Sequence, residues 1–246
     1  MDLIWPKLVC AASEVKCKFV KAKAANISNL PEGFTVTCHA GAMMTPANSL
    51  YSVRAAVEWG AQVIEFDVSF RPDGTPVIIH SDAPDENEGV YLENALEIAR
   101  KSNAFINLDI KSTANLGAVD ELVKLKGMSE RVFYTGVFED WVETVRENSV
   151  IPYYLNHKIT EEESKDKSAA QAVADKAKIL GAIGINSNHK GASKLFVDTM
   201  HENGLLVSLW TVNKFPDMIN VLKLRPDNIT TKKPNTFKNL ILKNNI

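Results

Sequence analysis

Eight times along this chain, a short run rich in β-branched and aromatic residues is followed by a stretch with helical periodicity. The strand-like runs fall at 34–38, 63–70, 105–110, 132–137, 151–155, 183–186, 205–212 and 228–231, and a short extension at 76–80 follows the second. The helical stretches fall at 48–58, 92–101, 116–125, 141–147, 169–180, 193–202, 215–224 and 236–243. The polar stretch Thr160 to Ser168, with Glu161/Lys165 and Glu163/Lys167 at i,i+4 spacing, reads as the solvated start of the helix that follows. A strand that leads into a helix and then into another strand rejoins its sheet in parallel. Eight such units, with no linker or shift of composition between them, predict an α/β fold: a single-domain (β/α)8 TIM barrel. The 246 residues are ample for a core of that size. Residues 1–30 precede the barrel proper and read as a short N-terminal extension that closes the barrel floor or joins a partner. Residues 31–246 read as the barrel.

The remaining composition narrows the class. A net charge of -2 argues against a nucleic-acid partner or an anionic membrane surface. Cys10, Cys17 and Cys38 are odd in number and lack metal-ligand spacing, which suits reduced thiols in a cytosolic protein. No run is long enough for a transmembrane segment. Lys7, Glu14, Lys16 and Lys18 break up the start of the chain, so no secretory signal is expected and cytoplasmic residence is the default. A homo-oligomer built through the extension stays open.

Chemistry enters at Val63-Ile64-Glu65-Phe66-Asp67-Val68. Alternate residues of a strand share a face, so Glu65 and Asp67 point the same way while Ile64, Phe66 and Val68 point the other. Two carboxylates side by side in an apolar strand are costly unless something neutralises them. A divalent cation held by hard oxygen ligands does so economically. Other strand-like runs end in His39, in His80, and in Asp109 and Lys111. Barrel active sites lie at the C-terminal ends of the strands, where all of these residues fall. The competing reading is a salt-bridged barrel mouth with Lys111 as the partner of the acids. Cys38 faces away from His39 and reads as a small buried hydrophobe. His157, His189 and His201 lie outside the cluster, His201 on a helix surface. Trp210 either packs in the core or walls the pocket.

The runs Cys38-His39-Ala40-Gly41, Pro46-Ala47-Asn48-Ser49, Gly60-Ala61, Glu65-Phe66-Asp67-Val68, Asp73-Gly74, Val77 to His80, Leu108-Asp109-Ile110-Lys111 and Leu209-Trp210-Thr211-Val212-Asn213 occur in that order. Together they resemble the glycerophosphodiester phosphodiesterase family, over residues 34–235. The resemblance implies a TIM barrel with a divalent metal, Mg²⁺ or Ca²⁺, on Glu65, Asp67 and Asp109. It implies acid/base roles for His39 and His80 and a phosphate contact for Lys111.

The chain departs from the family pattern at several points. Ala40 stands where an arginine is usual, Ala47 where a glutamate is usual, and Asp109 where the third ligand is usually glutamate. Ser81 and Lys232 each replace a usual aspartate. The stretch between His80 and Asp109 is short and lacks the insertion that covers substrate in many members, a feature shared with the partly similar spider-venom phospholipase D proteins.

The expected activity is hydrolysis of a small phosphodiester, giving glycerol 3-phosphate and an alcohol from a glycerophosphodiester. One alternative is lysophospholipase D-like action on lysophospholipids. The other is a catalytically impaired barrel that binds an anionic ligand.

Overall fold

The structure is a computed structural model, and it describes residues 30–244. Apart from Leu30, the expected N-terminal extension lies outside the described residues, as do Cys10 and Cys17. Among the described residues, ten strands form one sheet: β1 (Thr35–Cys38), β2 (Val63–Phe70), β3 (Pro76–Ile78), β4 (Val90–Tyr91), β5 (Phe105–Ile110), β6 (Val132–Val137), β7 (Tyr153–Asn156), β8 (Gly184–Asn188), β9 (Leu206–Trp210) and β10 (Asn228–Thr231). Eight of them run parallel in the order β1-β10-β9-β8-β7-β6-β5-β2, and pairing of β2 back onto β1 closes the barrel. The fold is the expected (β/α)8 barrel. The other two strands form an antiparallel flap, β3 on the far end of β2 and β4 on β3.

Around the barrel lie α1 (Leu50–Trp59), α2 (Leu92–Ala99), α3 (Leu116–Leu125), α4 (Val142–Asn148), α5 (Glu161–Lys165), α6 (Lys167–Leu180), α7 (Lys194–Glu202), α8 (Phe215–Leu224) and α9 (Pro234–Asn244). The core between helices and sheet takes one face of each strand. Ile64, Phe66 and Val68 of β2, and Ile106, Leu108 and Ile110 of β5, are all at most 2% exposed and belong to this core. Burying each such side chain stabilises the fold by about 1.5–3 kcal/mol. With that face committed to helices, the opposite face of β2 and β5 turns into the barrel.

Two local details differ from the expected elements. The first helix starts at Leu50 rather than at residue 48, because Ser49 caps it by accepting from the Ser52 N–H and Asn48 is left-handed (φ 49°). The polar stretch after residue 160 is two helices, not one. Asp166 is extended and its side chain accepts from the Ala169 N–H, which starts α6 afresh. Lys165 does pair with Glu161, but Lys167 reaches Glu202 and Glu163 turns to His157.

Candidate active site

Strand register assembles the acidic cluster. In the parallel pair β2–β5, Glu65 lies opposite Asn107 and Asp67 opposite Asp109. Asp109 in turn lies opposite Thr135 of β6. Glu65, Asp67 and Asp109 each offer an oxygen within 4.8 Å of the others. They line a cavity of about 730 Å³ at the C-terminal mouth of the barrel, together with His39, His80, Lys111 and Trp210. Every residue singled out from the sequence for chemistry therefore meets in one place. Glu65 and Asp67 are buried, Asp109, Lys111, His39 and Trp210 half-buried, and His80 exposed.

Each acid is held differently. Glu65 Oε2 accepts the Ala40 N–H at 2.5 Å and lies 3.8 Å from His39 Nδ1. Asp67 accepts from Asn48 Nδ2 at 2.7 Å, and its own N–H donates to Asn48 Oδ1 at 3.1 Å. Asp109 accepts from Thr135 Oγ1 at 3.0 Å. Lys111 Nζ lies 2.9 Å from Asp67 and 2.5 Å from Asp109. Gly136 keeps this corner open: its φ is 79°, and a Cβ there would sit 2.7 Å from Asp109 Oδ1 and 2.4 Å from the Ile110 carbonyl.

The protonation states follow from this geometry. Burial, then the charges of Asp67 and Asp109, hold the Glu65 carboxyl well above the usual carboxylate range. Burial also raises Asp67, but Lys111 and the Asn48 amide outweigh it and leave that group below its ordinary value. Burial lowers the Lys111 ammonium, but Asp109 and Asp67 outweigh it and raise the group. Burial lowers the His39 imidazole, and Lys232 adds to this against the raising pull of the Ala40 carbonyl and the acids. Lys111 thus serves Asp67 and Asp109, as a salt-bridged mouth would require. It leaves Glu65 without a cation. Three clustered carboxylates with one still uncompensated fit a hard divalent ion with oxygen ligands.

A family model described as the glycerophosphoryl diester phosphodiesterase family matches this chain over residues 39–90 and 81–236. The chain belongs to that family. A glycerophosphodiester phosphodiesterase of Caldanaerobacter subterraneus subsp. tengcongensis is 26% identical over 231 residues, covering 80% of this chain and 93% of that one. The fold matches a crystal structure from Silicibacter pomeroyi, described as a glycerophosphoryl diester phosphodiesterase, with a TM-score of 0.70 at 18% identity, over 86% of this chain and 94% of the other. It also matches an Oleispira antarctica phosphodiesterase, solved with the product sn-glycerol-3-phosphate, with a TM-score of 0.70 at 16% identity, over 86% and 97% of the two chains.

Within the phosphodiesterase barrel, the other histidines stay apart from the acids. His157 pairs with Glu163 at 2.9 Å, and His189 lies 3.6 Å from Asp217. His201 is not a free surface group; it is half-buried and 2.8 Å from Asp227. Cys38 is 1% exposed and sits in the core, where burial raises its thiol pKa. Sequence reasoning gave no role to Asn48, Thr135, Gly136 or Asn156. Asn156 Oδ1 accepts from the Gly136 N–H at 3.0 Å and from Asn186 Nδ2 at 2.8 Å. The available signal for Asn48 was its place in the run Pro46-Ala47-Asn48-Ser49.

Proposed function

We propose that the cavity hydrolyses glycerophosphodiesters to glycerol 3-phosphate and an alcohol. The observation that carries this is Glu65: a buried carboxylate beside two others, with a backbone N–H but no cation of its own. A structural ion-pair layer has no reason to keep it, and a divalent-ion site does. Glu65, Asp67 and Asp109 would hold Mg²⁺ or Ca²⁺. When bound, such an ion supplies electrostatic stabilisation of charge on the phosphoryl oxygens.

The chain's own residues supply the rest. His39 Nδ1 lies 2.7 Å from the Ala40 carbonyl, which can only accept, so Nδ1 carries the proton. The lone pair of the neutral ring is then on Nε2, and burial keeps the ring neutral near pH 7. That suits His39 as general base toward the attacking oxygen, from water or from the substrate's glycerol hydroxyl. His80, exposed on the loop after β3, serves as general acid toward the leaving alkoxide. Lys111 has three N–H donors, two of them engaged by Asp67 and Asp109, so one remains for a phosphate oxygen. Trp210 walls the substrate's side of the cavity.

The test is hydrolysis of glycerophosphocholine with Mg²⁺ or Ca²⁺. His39→Ala and His80→Ala should each lower kcat by roughly 10²–10⁴, and a chelator should abolish turnover and lower the melting temperature. Wild-type rates in either variant would remove the acid/base assignment. Absence of any metal-dependent stabilisation would remove the acidic triad as a metal site.

A further inference from the structure

The inner faces of β1 and β10 meet at the barrel wall. Thr35 Oγ1 and Thr37 Oγ1 of β1 accept from Asn228 Nδ2 of β10, at 2.8 and 2.7 Å. Register pairs Thr35 with Asn228 and Thr37 with Thr230. Side chains alternate along a strand, so the next pair on this face is His39 with Lys232. The His39 N–H donates to the Thr231 carbonyl at 3.1 Å, which carries the pairing past the strand ends. His39 and Thr230 both line the cavity, and Lys232 stands one step further out on the same face, at its rim.

The backbone of Lys232 is fixed from two sides. Its N–H donates to Asn213 Oδ1 at 2.8 Å, and its carbonyl accepts the Met43 N–H at 3.0 Å. The side chain is exposed, and its ammonium has no carboxylate partner among the described residues. Lys111 differs, since Asp67 and Asp109 already engage it. Lys232 thus brings to the mouth a positive charge that no acid neutralises, next to the imidazole of His39.

On the reading that the acidic triad and its ion receive the phosphate, we propose that Lys232 is a further substrate-binding residue, which holds a phosphate oxygen from the His39 side of the mouth. Around the barrel the strands run β10, β1, β2, β5, so the strand of His39 lies between that of Lys232 and those of the acids and Lys111. The two lysines therefore approach the space above the acids from different directions. Adjacent strands lie about 4.8 Å apart, a gap that the four-carbon stem of a lysine crosses. A point charge attracts a dianion more strongly than a monoanion. The contact therefore favours the phosphomonoester product even more than the diester substrate.

The test uses the full chain with Mg²⁺ or Ca²⁺ at pH 8.5, where the lowered His39 imidazole is neutral whatever stands beside it. Calorimetry gives the affinity for glycerol 3-phosphate, and hydrolysis of glycerophosphocholine gives KM and kcat. Lys232→Met should weaken glycerol 3-phosphate binding roughly three- to tenfold and raise KM by a smaller factor, with kcat held within about twofold. Lys232→Arg should keep both values. Lys233→Met removes the same charge from the next, exposed position and should change neither. Undiminished glycerol 3-phosphate binding in Lys232→Met, or an equal loss in Lys233→Met, overturns the contact and spares the proposed hydrolase. A fall in kcat with KM and product affinity unmoved also overturns it, because the lysine then acts through His39 alone. A wild type that turns over no diester refutes the hydrolase, and the calorimetric contrast between Lys232→Met and Lys233→Met still decides the contact.

Discussion

Asn48 offers the sharpest way to measure what holds the acidic cluster together. Its amide both donates to Asp67 Oδ2 at 2.7 Å and accepts from the Asp67 N–H at 3.1 Å, so one side chain fixes the strand and its carboxylate. A hydrogen bond to a charged group contributes about 1.5–3 kcal/mol and a neutral one about 0.5–1.5 kcal/mol. Removing both by Asn48→Gly should cost about 2–4.5 kcal/mol. Asn48→Ala should cost more, because Asn48 has φ 49°. A Cβ in that region costs about 1–2 kcal/mol, and the extra freedom that glycine gains in the unfolded chain returns about 0.4–1 kcal/mol of this. Alanine should therefore be worse than glycine by roughly 1 kcal/mol. Urea unfolding of the metal-free protein at pH 7 measures both numbers. An alanine loss smaller than the glycine loss by about 0.4–1 kcal/mol would show that the backbone carries no strain at Asn48. Losses below about 0.5 kcal/mol in both would show that the amide is not what positions Asp67.

The titration of Glu65 makes a second test. Its carboxyl is raised, so the native state binds more protons than the unfolded chain between the ordinary carboxylate pKa and the raised one. Metal-free stability must then fall as pH climbs through that window, and metal affinity must rise by up to about tenfold per pH unit. Calorimetry in buffers of different ionisation enthalpy reads the released proton, and affinity indifferent to pH would contradict the assignment. Glu65→Gln removes the ionisable group, so it should leave the metal-free protein at least as stable at pH 8 while abolishing its thermal response to Mg²⁺ or Ca²⁺. Lys232 helps to depress His39, so Lys232→Gln should move the acid limb of kcat/KM to higher pH; an unmoved limb would exclude His39 as the base. Gly136→Ala should lower the melting temperature by several degrees and weaken metal binding, because the new methyl meets Asp109 and the Ile110 carbonyl. Unchanged metal affinity in a folded Gly136→Ala protein would show that Asp109 has room to move.

The barrel was legible because strand periodicity is local. Ile64, Phe66 and Val68 alternate with Glu65 and Asp67, and once helices claim the apolar face the acids have nowhere to go but inward. The same rule placed Asp109 and Lys111 on β5 and just beyond it. The partners of those acids were not legible, since hydrogen bonds across the fold leave no periodic trace. Asn48 reaches Asp67 only because it turns left-handed before the Ser49 cap, and Asn156 reaches Gly136 from another strand. The break at Asp166 was missed for a different reason. The charges at 161–167 fit one helix by i,i+4 spacing, yet the Thr160 capping box and the Asp166 cap define two separate starts. The two-residue strand Val90–Tyr91 is too short to show alternation, and only its pairing with β3 reveals it.

The departures from the family pattern become physical questions once the geometry is known. At Ala40 the absent arginine takes away a side-chain cation, but the main chain still does two jobs: its N–H holds Glu65 and its carbonyl fixes the His39 tautomer. Neither contact depends on the residue's identity, so Glu65 and His39 stay in place without the arginine. At Asp109 the shorter side chain keeps its oxygen near the strand, yet that oxygen remains within 4.8 Å of Glu65 and Asp67. Direct register with Asp67 brings it level, and Thr135 and Lys111 hold it. Lys232, just past the end of β10, adds a positive charge that depresses His39, and its carbonyl accepts from the Met43 N–H. The three carboxylates and the two imidazoles thus stay together around one cavity despite these departures.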